Sequence, residues 1–295
     1  MDGAHEPVLA DEVIEILEPS RGGLFVDCTI GLGGHARAIL SGGATRLIGL
    51  DRDTTALTIA AQNLMPWHDR VELVHADYRD LPAVLSARGV EAVDGALADL
   101  GVSSMQFDAP GRGFSFRRDE PLDMRMDQTA GPTAAELLMD VDEADLADVI
   151  FRYGEERFSR RIAHRVVEAR RRGPIATTAQ LADIVRRAIP RRGYQRIDPA
   201  TRTFQALRIW VNQELDRLDL FLVEASRLLR AGARFAVITF HSLEDRIVKH
   251  AFRALAAGEG AVRLLTRKPV VPGDREVARN PRARSAKLRA IERVV

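Results

Sequence analysis

The chain has 295 residues, enough to bury a large hydrophobic core, so we expect one large domain or a domain that carries an insertion. Its 46% hydrophobic and 29% charged residues are typical of a globular protein in water. No stretch approaches the roughly 18 consecutive apolar residues of a membrane span, and the first residues lack a basic segment followed by an apolar one. We therefore expect a cytoplasmic protein without a membrane partner. The single cysteine, Cys28, excludes an internal disulfide and a cysteine-based zinc site, and the seven histidines show no ligand-like spacing, so we predict no metal site.

The net charge is only +1, but the charges are unevenly distributed. Residues 1–110 carry 7 Arg and 17 Asp or Glu, a net of −10, whereas residues 151–210 carry 15 Arg and 5 Asp or Glu, a net of +10. Such a basic segment is typical of a protein that presents one face to a polyanion such as RNA. Arg exceeds Lys by 40 to 3, which leaves a general composition bias as the alternative.

The first strand of the predicted fold ends in a glycine turn. Residues 7–17 have the apolar spacing of a short amphipathic helix. An apolar run from Leu24 then indicates a buried parallel strand, followed by Gly31-x-Gly33-x-x-Ala36 and a helix to about Leu40. This spacing fits the alanine-ended form of the dinucleotide-type fingerprint, in which glycines let the backbone turn sharply and approach a ligand. A tight turn without a ligand needs the same glycines, so both interpretations remain open here.

Three more strand patterns follow, at 46–50, 71–75 and 93–100, with a helix pattern at 54–64. This alternation predicts βαβ units and a parallel sheet that binds ligands at the carboxyl ends of its strands. Residues 29–35, 51, 77–78 and 99–104 should therefore converge on one crevice. Asp51 lies 20 residues after Gly31, where a carboxylate meets the ribose of a bound nucleoside; a helix N-cap or a surface acid is the alternative.

Helical patterns then replace the strands. After a loop at 110–118 they cover 133–139, 143–153, 156–172 and 178–189. We predict an inserted helical domain at residues 108–201, on a core made of residues 1–107 and 202–295. Because the insert holds the basic excess, we expect it to recognise the substrate; an ornament or a dimer surface is the alternative.

The core pattern resumes with one long predicted helix, Thr203–Leu229, and a buried strand, Arg234–Phe240. Two further runs, Val262–Thr266 and Lys287–Arg293, predict a final antiparallel pairing at the sheet edge. The expected fold class is therefore α/β: a Rossmann-like, seven-stranded core of the kind typical of S-adenosylmethionine-dependent methyltransferases, with an inserted all-helical domain.

The predicted crevice is acidic. A dinucleotide would place its pyrophosphate at the helix N-terminus after the glycines, where the aspartates at the strand ends would repel it. S-adenosylmethionine carries a cationic sulfonium and a ribose, so the carboxylates favour the methyl donor.

Nine motifs together resemble the bacterial 16S ribosomal RNA cytosine-N4 methyltransferase family, also called the methyltransferase H or MraW-like family. In chain order they are Gly31-Leu32-Gly33-Gly34-His35, Asp51-Arg52-Asp53, Asp99–Ser104, Gly111–Phe116, Pro121–Met126, Tyr153–Arg157, Ala200–Ala206, Phe240–Arg246 and Asn280–Ser285. The resemblance covers nearly the whole chain. It implies S-adenosylmethionine as methyl donor, and N4 methylation of a cytidine in the decoding region of 16S RNA of the small ribosomal subunit.

The resemblance also implies which residues contact the donor. They are Gly31, Gly33, Gly34, His35, Asp51, Tyr78, Asp99 and Gln106. The family usually has Phe at the position of Tyr78 and Pro at that of Met105. Tyr78 keeps an aromatic wall for the adenine, whereas Met105 loosens the backbone just before Gln106.

The amino nitrogen of cytosine is a poor nucleophile, so the reaction needs alignment and a hydrogen-bond acceptor. Asp99 is the first candidate, and Ser103, in the backbone stretch that follows, is the second. The cytosine must leave its stack, and Phe114 or Phe116 could stack on it; packing of their loop is the alternative for both.

Further residues are expected to contact the RNA. On the insert they are Arg186, Arg187, Arg191 and Arg192. At the end of the fifth strand they are His241 and Ser242, with a structural hydrogen bond as the alternative for His241. The oligomeric state is not predicted.

Two rival functions use the same features. A nicotinamide-dependent oxidoreductase would share the glycine turn, and a ribosome-assembly factor would bind RNA on the same fold without chemistry. The first should bind NAD, and the second should transfer no methyl group.

Overall fold

A computed structural model describes residues 7–190, 197–258 and 261–295. It divides the chain into two compact units, which we call the core unit, Met1–Gly101 with Leu215–Val295, and the insert unit, Val102–Glu214. The sequence placed these boundaries at 107/108 and 201/202. The second boundary lies later because the helix at Ala200–Asn212 packs on other helices of the insert unit. No helix in the described ranges has the length and apolar character needed to span a membrane.

Seven strands of the described residues form one sheet. They are β1 (Leu24–Asp27), β2 (Arg46–Asp51), β3 (Val71–His75), β4 (Val93–Asp99), β5 (Leu229–Thr239), β6 (Val262–Leu264) and β7 (Lys287–Arg293).

The α-helices in the described ranges are, in chain order, α1 (Ala10–Leu17), α2 (Gly34–Ser41), α3 (Thr54–Asn63), α4 (Leu81–Ser86), α5 (Ser104–Asp108), α6 (Ala134–Asp140), α7 (Glu143–Gly154), α8 (Ser159–Arg170), α9 (Thr178–Ala188), α10 (Ala200–Asn212), α11 (Leu218–Arg227), α12 (Ser242–Ala257) and α13 (Asp274–Arg279).

The strand order is β3-β2-β1-β4-β5-β7-β6. The first five strands are parallel, and β7 pairs antiparallel with both β5 and β6. The predicted Rossmann-like, seven-stranded core is therefore confirmed, including its antiparallel end. The chain reverses its strand order at β1 and β4, the place where ligands bind in open α/β sheets.

The core unit is held by hydrophobic clusters on both faces of this sheet. One contains Phe221, Phe235 and Phe252, and the other contains Phe25, Ile39 and Leu47. Because β1, β2 and β4 are covered on both faces, their side chains form nearly continuous apolar runs, which is why the sequence predicted them well.

The predicted single helix Thr203–Leu229 is wrong. The chain forms α10 and α11 instead, with Gln213 and Arg217 between them in the left-handed region at φ 50° and 55°. Left-handed backbone ends a helix although these side chains are helix formers. Strand β5 also begins earlier than predicted, at Leu229, so residues 229–232 are strand rather than a helix end.

The insert unit has its own hydrophobic core, built mainly from α6 to α10. Helices α7 and α10 approach closely at Gly154, where a Cβ atom would lie 2.6 Å from the Arg202 carbonyl oxygen. The buried Asn212 donates to the Met124 carbonyl (2.7 Å) and accepts from the Met126 N–H (2.7 Å). These two bonds fix the segment Pro121–Met126, one of the nine motifs, within the insert unit.

Candidate active site

Polar residues follow each of the first four strands at the carboxyl edge of the sheet. Asp27 ends β1, Asp51 ends β2, Tyr78 comes three residues after β3, and Asp99 ends β4. Parallel pairing of these strands brings their carboxyl ends together, as the alternation of strands and helices predicted.

The glycine turn between β1 and α2 depends on its glycines. Gly31 and Gly33 have φ of +50° and +82°, a region that favours glycine. The Gly33 N–H donates to the Ile30 carbonyl (2.8 Å), and Gly34 begins α2. The backbone N–H groups of this helix N-terminus therefore lie at the carboxyl edge.

Asp51 is fixed by the backbone of the glycine turn. The Gly31 N–H donates to its Oδ2 (2.8 Å), and the Asp53 N–H donates to its Oδ1 (2.8 Å). Burial raises the pKa of Asp51 to about 6, although these two N–H groups oppose the shift. Asp53, not Asp51, caps α3, so the N-cap alternative for Asp51 is wrong. Each Asp51 oxygen keeps a second lone pair for a ligand hydroxyl.

Asp27, His35 and Asp99 form a cluster behind the glycine turn, which we call the charged cluster. The Nε2 atom of His35 lies 3.6 Å from the Oδ2 atom of Asp99, and His35 is only 6% exposed. Burial alone would lower the pKa of His35, but Asp99 and Asp27 together raise it above its usual value. His35 therefore faces Asp99 as a cation more readily than a free histidine would.

Asp27 is the most deeply buried acid of the charged cluster, at 1% exposure. Its Oδ1 accepts the Thr29 N–H (3.1 Å), whereas its Oδ2 has no hydrogen-bond partner in the described part of the chain. Burial raises the pKa of Asp27 to about 7, against the opposing effect of His35. Asp27 thus exchanges a proton near neutral pH.

Tyr78 offers an aromatic ring beside this site. Its ring centroid lies 4.7 Å from that of Phe221, so the hydrophobic core supports it. The neighbouring Asp77 is neutralised, because Arg79 binds both of its oxygens (2.8 and 2.9 Å) and Arg52 lies 3.0 Å away. The crevice is therefore less acidic than the sequence predicted.

Ser103 and Gln106 belong to the insert unit. Ser103 caps α5 by accepting the Gln106 N–H (3.3 Å), and the Gln106 side chain accepts the Ser103 N–H (3.0 Å). This capping box holds both side chains in place despite Met105 at the position where the family usually has Pro.

Phe114 and Phe116 pack inside the insert unit. Phe114 is 5% exposed and meets Phe107 edge to face at 6.2 Å. Phe116 meets Phe204 at 4.7 Å, and the Arg186 guanidinium lies 5.6 Å from its centroid. The packing alternative describes both rings in this structure, and stacking on a base stays a prediction.

The four predicted RNA-binding arginines differ in their surroundings. Arg186 is paired with Asp198 (2.9 Å) and Asp183 (3.2 Å), so it stabilises the insert unit. Arg187 is exposed at the end of α9. Arg191 and Arg192 lie outside the described residues.

His241 is the N-cap of α12. Its Nδ1 accepts the Glu244 N–H (3.4 Å), and the Glu244 carboxylate accepts the N–H groups of His241 (3.3 Å) and Phe240 (2.9 Å). The structural alternative for His241 is therefore observed. Ser242 is exposed as the first residue of α12.

Comparison with known proteins shows the family to which the chain belongs. A family model described as the MraW methylase family matches residues 2–294. The chain belongs to the MraW methylase family. This confirms the predicted family and enzyme class.

Relatives of this MraW methylase are similar over nearly their whole length. The chain is 52% identical to the ribosomal RNA small subunit methyltransferase H of Bradyrhizobium diazoefficiens, covering 98% of this chain and 91% of that protein. It is 50% identical to the protein of the same name from Geobacter sulfurreducens, with 100% of both chains covered. Among solved structures, it resembles an rRNA methylase from Streptococcus thermophilus with a TM-score of 0.43 and 12% identity, covering 97% and 94% of the two chains.

The sequence reasoning missed Asp27 as a residue of this MraW methylase site, and it placed Thr29 in the crevice without predicting its contact. Asp27 was treated only as part of a strand, although an acid that ends an apolar strand before a glycine turn was an available signal. The Thr29 hydroxyl accepts the Asp99 N–H (2.7 Å) and so positions the candidate acceptor. No local pattern marks that contact, because it joins residues 70 positions apart.

Proposed function

We propose that this methylase transfers a methyl group from S-adenosylmethionine to the N4 amino group of a cytidine in the decoding region of 16S ribosomal RNA. The observation that carries the proposal is the carboxyl edge of the sheet, where Asp51, Tyr78 and Asp99 surround a glycine turn. The name of the relatives supports a small-subunit RNA substrate. N4 and the decoding region rest on the motif resemblance. Such a substrate would place the protein in the cytoplasm.

The residues at the edge fit S-adenosylmethionine. Asp51 presents oxygens whose positions are fixed by Gly31 and Asp53, as the ribose hydroxyls require. Tyr78 provides a flat apolar wall for an adenine. A pyrophosphate at the N-terminus of α2 would instead meet Asp27 and Asp99, which repel it. The methionine part of the donor also carries an ammonium, which can face Asp27 and Asp99 while its carboxylate takes the N–H groups after Gly33.

Asp99 is proposed to accept the hydrogen bond and then the proton of the N4 amino group during the reaction. S-adenosylmethionine supplies an electrophilic methyl group on a sulfonium. Asp99 is held by Thr29 through its N–H, and its Oδ1 has no hydrogen-bond partner among the described residues. It would hold the amino hydrogen while the N4 lone pair forms the new C–N bond and the S–C bonding pair stays on sulfur. The released N4 proton then passes to the Asp99 carboxylate and on to water.

His35 is proposed to act through Asp99. Its Nε2 lies 3.6 Å from Oδ2, and although burial lowers the pKa of His35, the contact with Asp99 raises it, so a protonated ring would hold that oxygen in position. Ser103, whose hydroxyl caps α5, is the second candidate acceptor.

We also propose that the insert unit recognises the RNA. Its basic excess supports this, and the exposed Arg187 is available for a phosphate. Phe114 and Phe116 would have to leave their present contacts to stack on the flipped cytosine.

Binding and transfer assays test the donor and the reaction. We expect S-adenosylhomocysteine to bind in calorimetry while NAD does not, and labelled methyl groups to reach small ribosomal subunits. Digestion of the RNA to nucleosides should then give N4-methylcytidine by mass. Binding of NAD alone would establish the oxidoreductase instead, and RNA binding without transfer would establish the assembly factor.

Two variants separate donor binding from chemistry. Asp51→Ala should weaken S-adenosylhomocysteine binding, whereas Asp99→Asn should reduce kcat by roughly 10²–10³-fold with a smaller effect on donor affinity. Asp69→Asn, an exposed acid in a loop, is the matched control. Full transfer by Asp51→Ala at limiting donor would contradict the ribose assignment.

A further inference from the structure

The motif at Asn280–Ser285 has no role in the site described above. It belongs to residues 267–287, a segment with seven basic and two acidic residues. Six of the basic residues are exposed, and four of these six form what we call the basic rim: Arg267, Lys268, Arg275 and Arg284.

The basic rim lies at the carboxyl edge of the sheet. Strand β7 pairs Lys287 with Thr239, the last residue of β5, so the residues just before β7 lie where β5 ends. Strand β6 also pairs antiparallel with β7, and therefore runs toward the same edge before Arg267. The charges thus lie on the side of the sheet where Asp51 and Asp99 are found.

The cations of the basic rim have no ion-pair partners within the described residues. This differs from other exposed arginines of the core unit, such as Arg230, which pairs with Asp94, and Arg263, which pairs with Glu292. Four uncompensated cations on one edge repel each other, and a bound polyanion removes that cost.

The backbone that carries the basic rim is well anchored. Val270 and Leu288 exchange two backbone hydrogen bonds as an antiparallel bridge. Ala283 and Ala286 are buried in the hydrophobic cluster that contains Phe25, Ile39 and Leu47. The cations are therefore displayed on a fixed surface, so binding would order little backbone.

This surface is joined to the glycine turn. The Glu276 carboxylate of α13 accepts the Leu9 N–H (2.8 Å), and Pro7 lies where a Cβ atom of Gly34 would be 3.3 Å from it. Glu276 is also among the charges that raise the pKa of His35. Helix α13 therefore lies close to the donor site.

We propose that the basic rim binds the RNA phosphates that flank the target cytidine, so that the core unit itself holds the substrate. The inference rests on the proposed RNA substrate and assigns a role to a surface outside the insert unit. A nucleotide that enters the crevice brings its neighbouring phosphates to the carboxyl edge of the sheet. The negative charges of these phosphates would pair with the cations of the basic rim.

The test compares two triple variants of the full chain. Arg267→Gln/Lys268→Gln/Arg284→Gln removes three rim charges and leaves α13 intact. Arg46→Gln/Arg227→Gln/Arg253→Gln removes three exposed cations near the opposite ends of the strands and helices. Both lower the net charge by three, so a nonspecific charge effect would be equal in the two.

Affinity for protein-free 16S RNA is measured as a function of KCl concentration. The rim variant should lose roughly 10–100-fold in affinity at 0.1 M salt, and its slope of log K against log[salt] should fall by about 2–3. The control should stay near the parent chain. Both variants should bind S-adenosylhomocysteine as the parent does and unfold at a similar temperature, which shows that they fold.

Equal RNA affinity and slope for the two variants would overturn the inference. A loss seen with assembled subunits but not with protein-free RNA would also overturn it, because the basic rim would then contact ribosomal protein. Failure of the proposed function is separate: it would appear as absent methyl transfer by the parent chain.

Discussion

Asp27 is buried beside His35 and Asp99, and burial makes ionisation of its carboxyl unfavourable. Its pKa of about 7 in the folded chain compares with 3.8 for an ordinary aspartate. The folded state therefore holds a proton that the unfolded state has lost between about pH 4 and pH 7, and stability from this group falls as pH rises through that window. A buried acid that costs stability at neutral pH, next to a proposed acceptor, indicates a role in the site rather than in folding.

Asp27→Asn should stabilise the chain at pH 8. The shift of the pKa sets an upper bound of about 4 kcal/mol on the gain in the free energy of unfolding, and the gain should shrink toward pH 5. Urea unfolding at both pH values measures this. Lower stability at pH 8 would mean that the ionised Asp27 is stabilised more by His35 than it is penalised by burial.

Donor binding should depend on the ionisation of Asp51. Its carboxyl is raised to a pKa of about 6, and the charges near it are Asp53 and Arg52. An ionised carboxylate accepts ribose hydroxyls better than a protonated one, so affinity for S-adenosylhomocysteine should fall as pH decreases through 6. Calorimetry between pH 5 and 8 measures the dependence.

Asp51→Asn should remove most of that pH dependence while it weakens binding throughout. A pH profile that is the same in the parent and the variant would assign the titration to another group, with Asp27 as the next candidate.

At the scale of elements, the close approach of α7 and α10 depends on one missing side chain. Gly154→Ala would place a Cβ atom 2.6 Å from the backbone oxygen of Arg202, which has little freedom to move. We expect a loss of about 1–3 kcal/mol in the free energy of unfolding, despite the better helix propensity of Ala.

Hydrogen exchange should localise the effect of Gly154→Ala to the insert unit. Gly273→Ala is the control, because nothing lies within 4 Å of its added Cβ atom. Unchanged protection in α7 and α10 would show that these helices can separate at little cost.

At the scale of the whole molecule, the arginines of the insert unit are expected to serve two separable functions, RNA binding and stabilisation of the fold. Arg187→Glu should weaken RNA binding and leave the free energy of unfolding nearly unchanged, since Arg187 is exposed. Arg186→Glu should also destabilise the chain, because it breaks the pairs with Asp198 and Asp183. Filter binding and urea unfolding of both variants measure this.

Equal RNA affinity for Arg187→Glu and the parent would remove this end of α9 from the substrate surface. The basic rim of the core unit would then be the main candidate for holding the RNA.

The sequence by itself determined the fold class, the family and the positions of the strand-end residues. Buried parallel strands are short apolar runs, and the glycine turn and Asp51 follow them at a regular spacing, so local pattern was sufficient. It also marked the insert, whose helices have clear apolar periods.

Only the tertiary structure decided which of these groups touch. The pairing of His35 with Asp99, the neutralisation of Asp77 and Arg186, and the packing of Phe114 and Phe116 all depend on contacts between distant segments. The break between α10 and α11 depends on Gln213 and Arg217, which are left-handed although neither is a glycine, so the sequence gives no sign of the break. The local charge, burial and backbone conformation of a residue depend on which residues surround it in the folded chain. The spacing of residues along the sequence does not specify these neighbours.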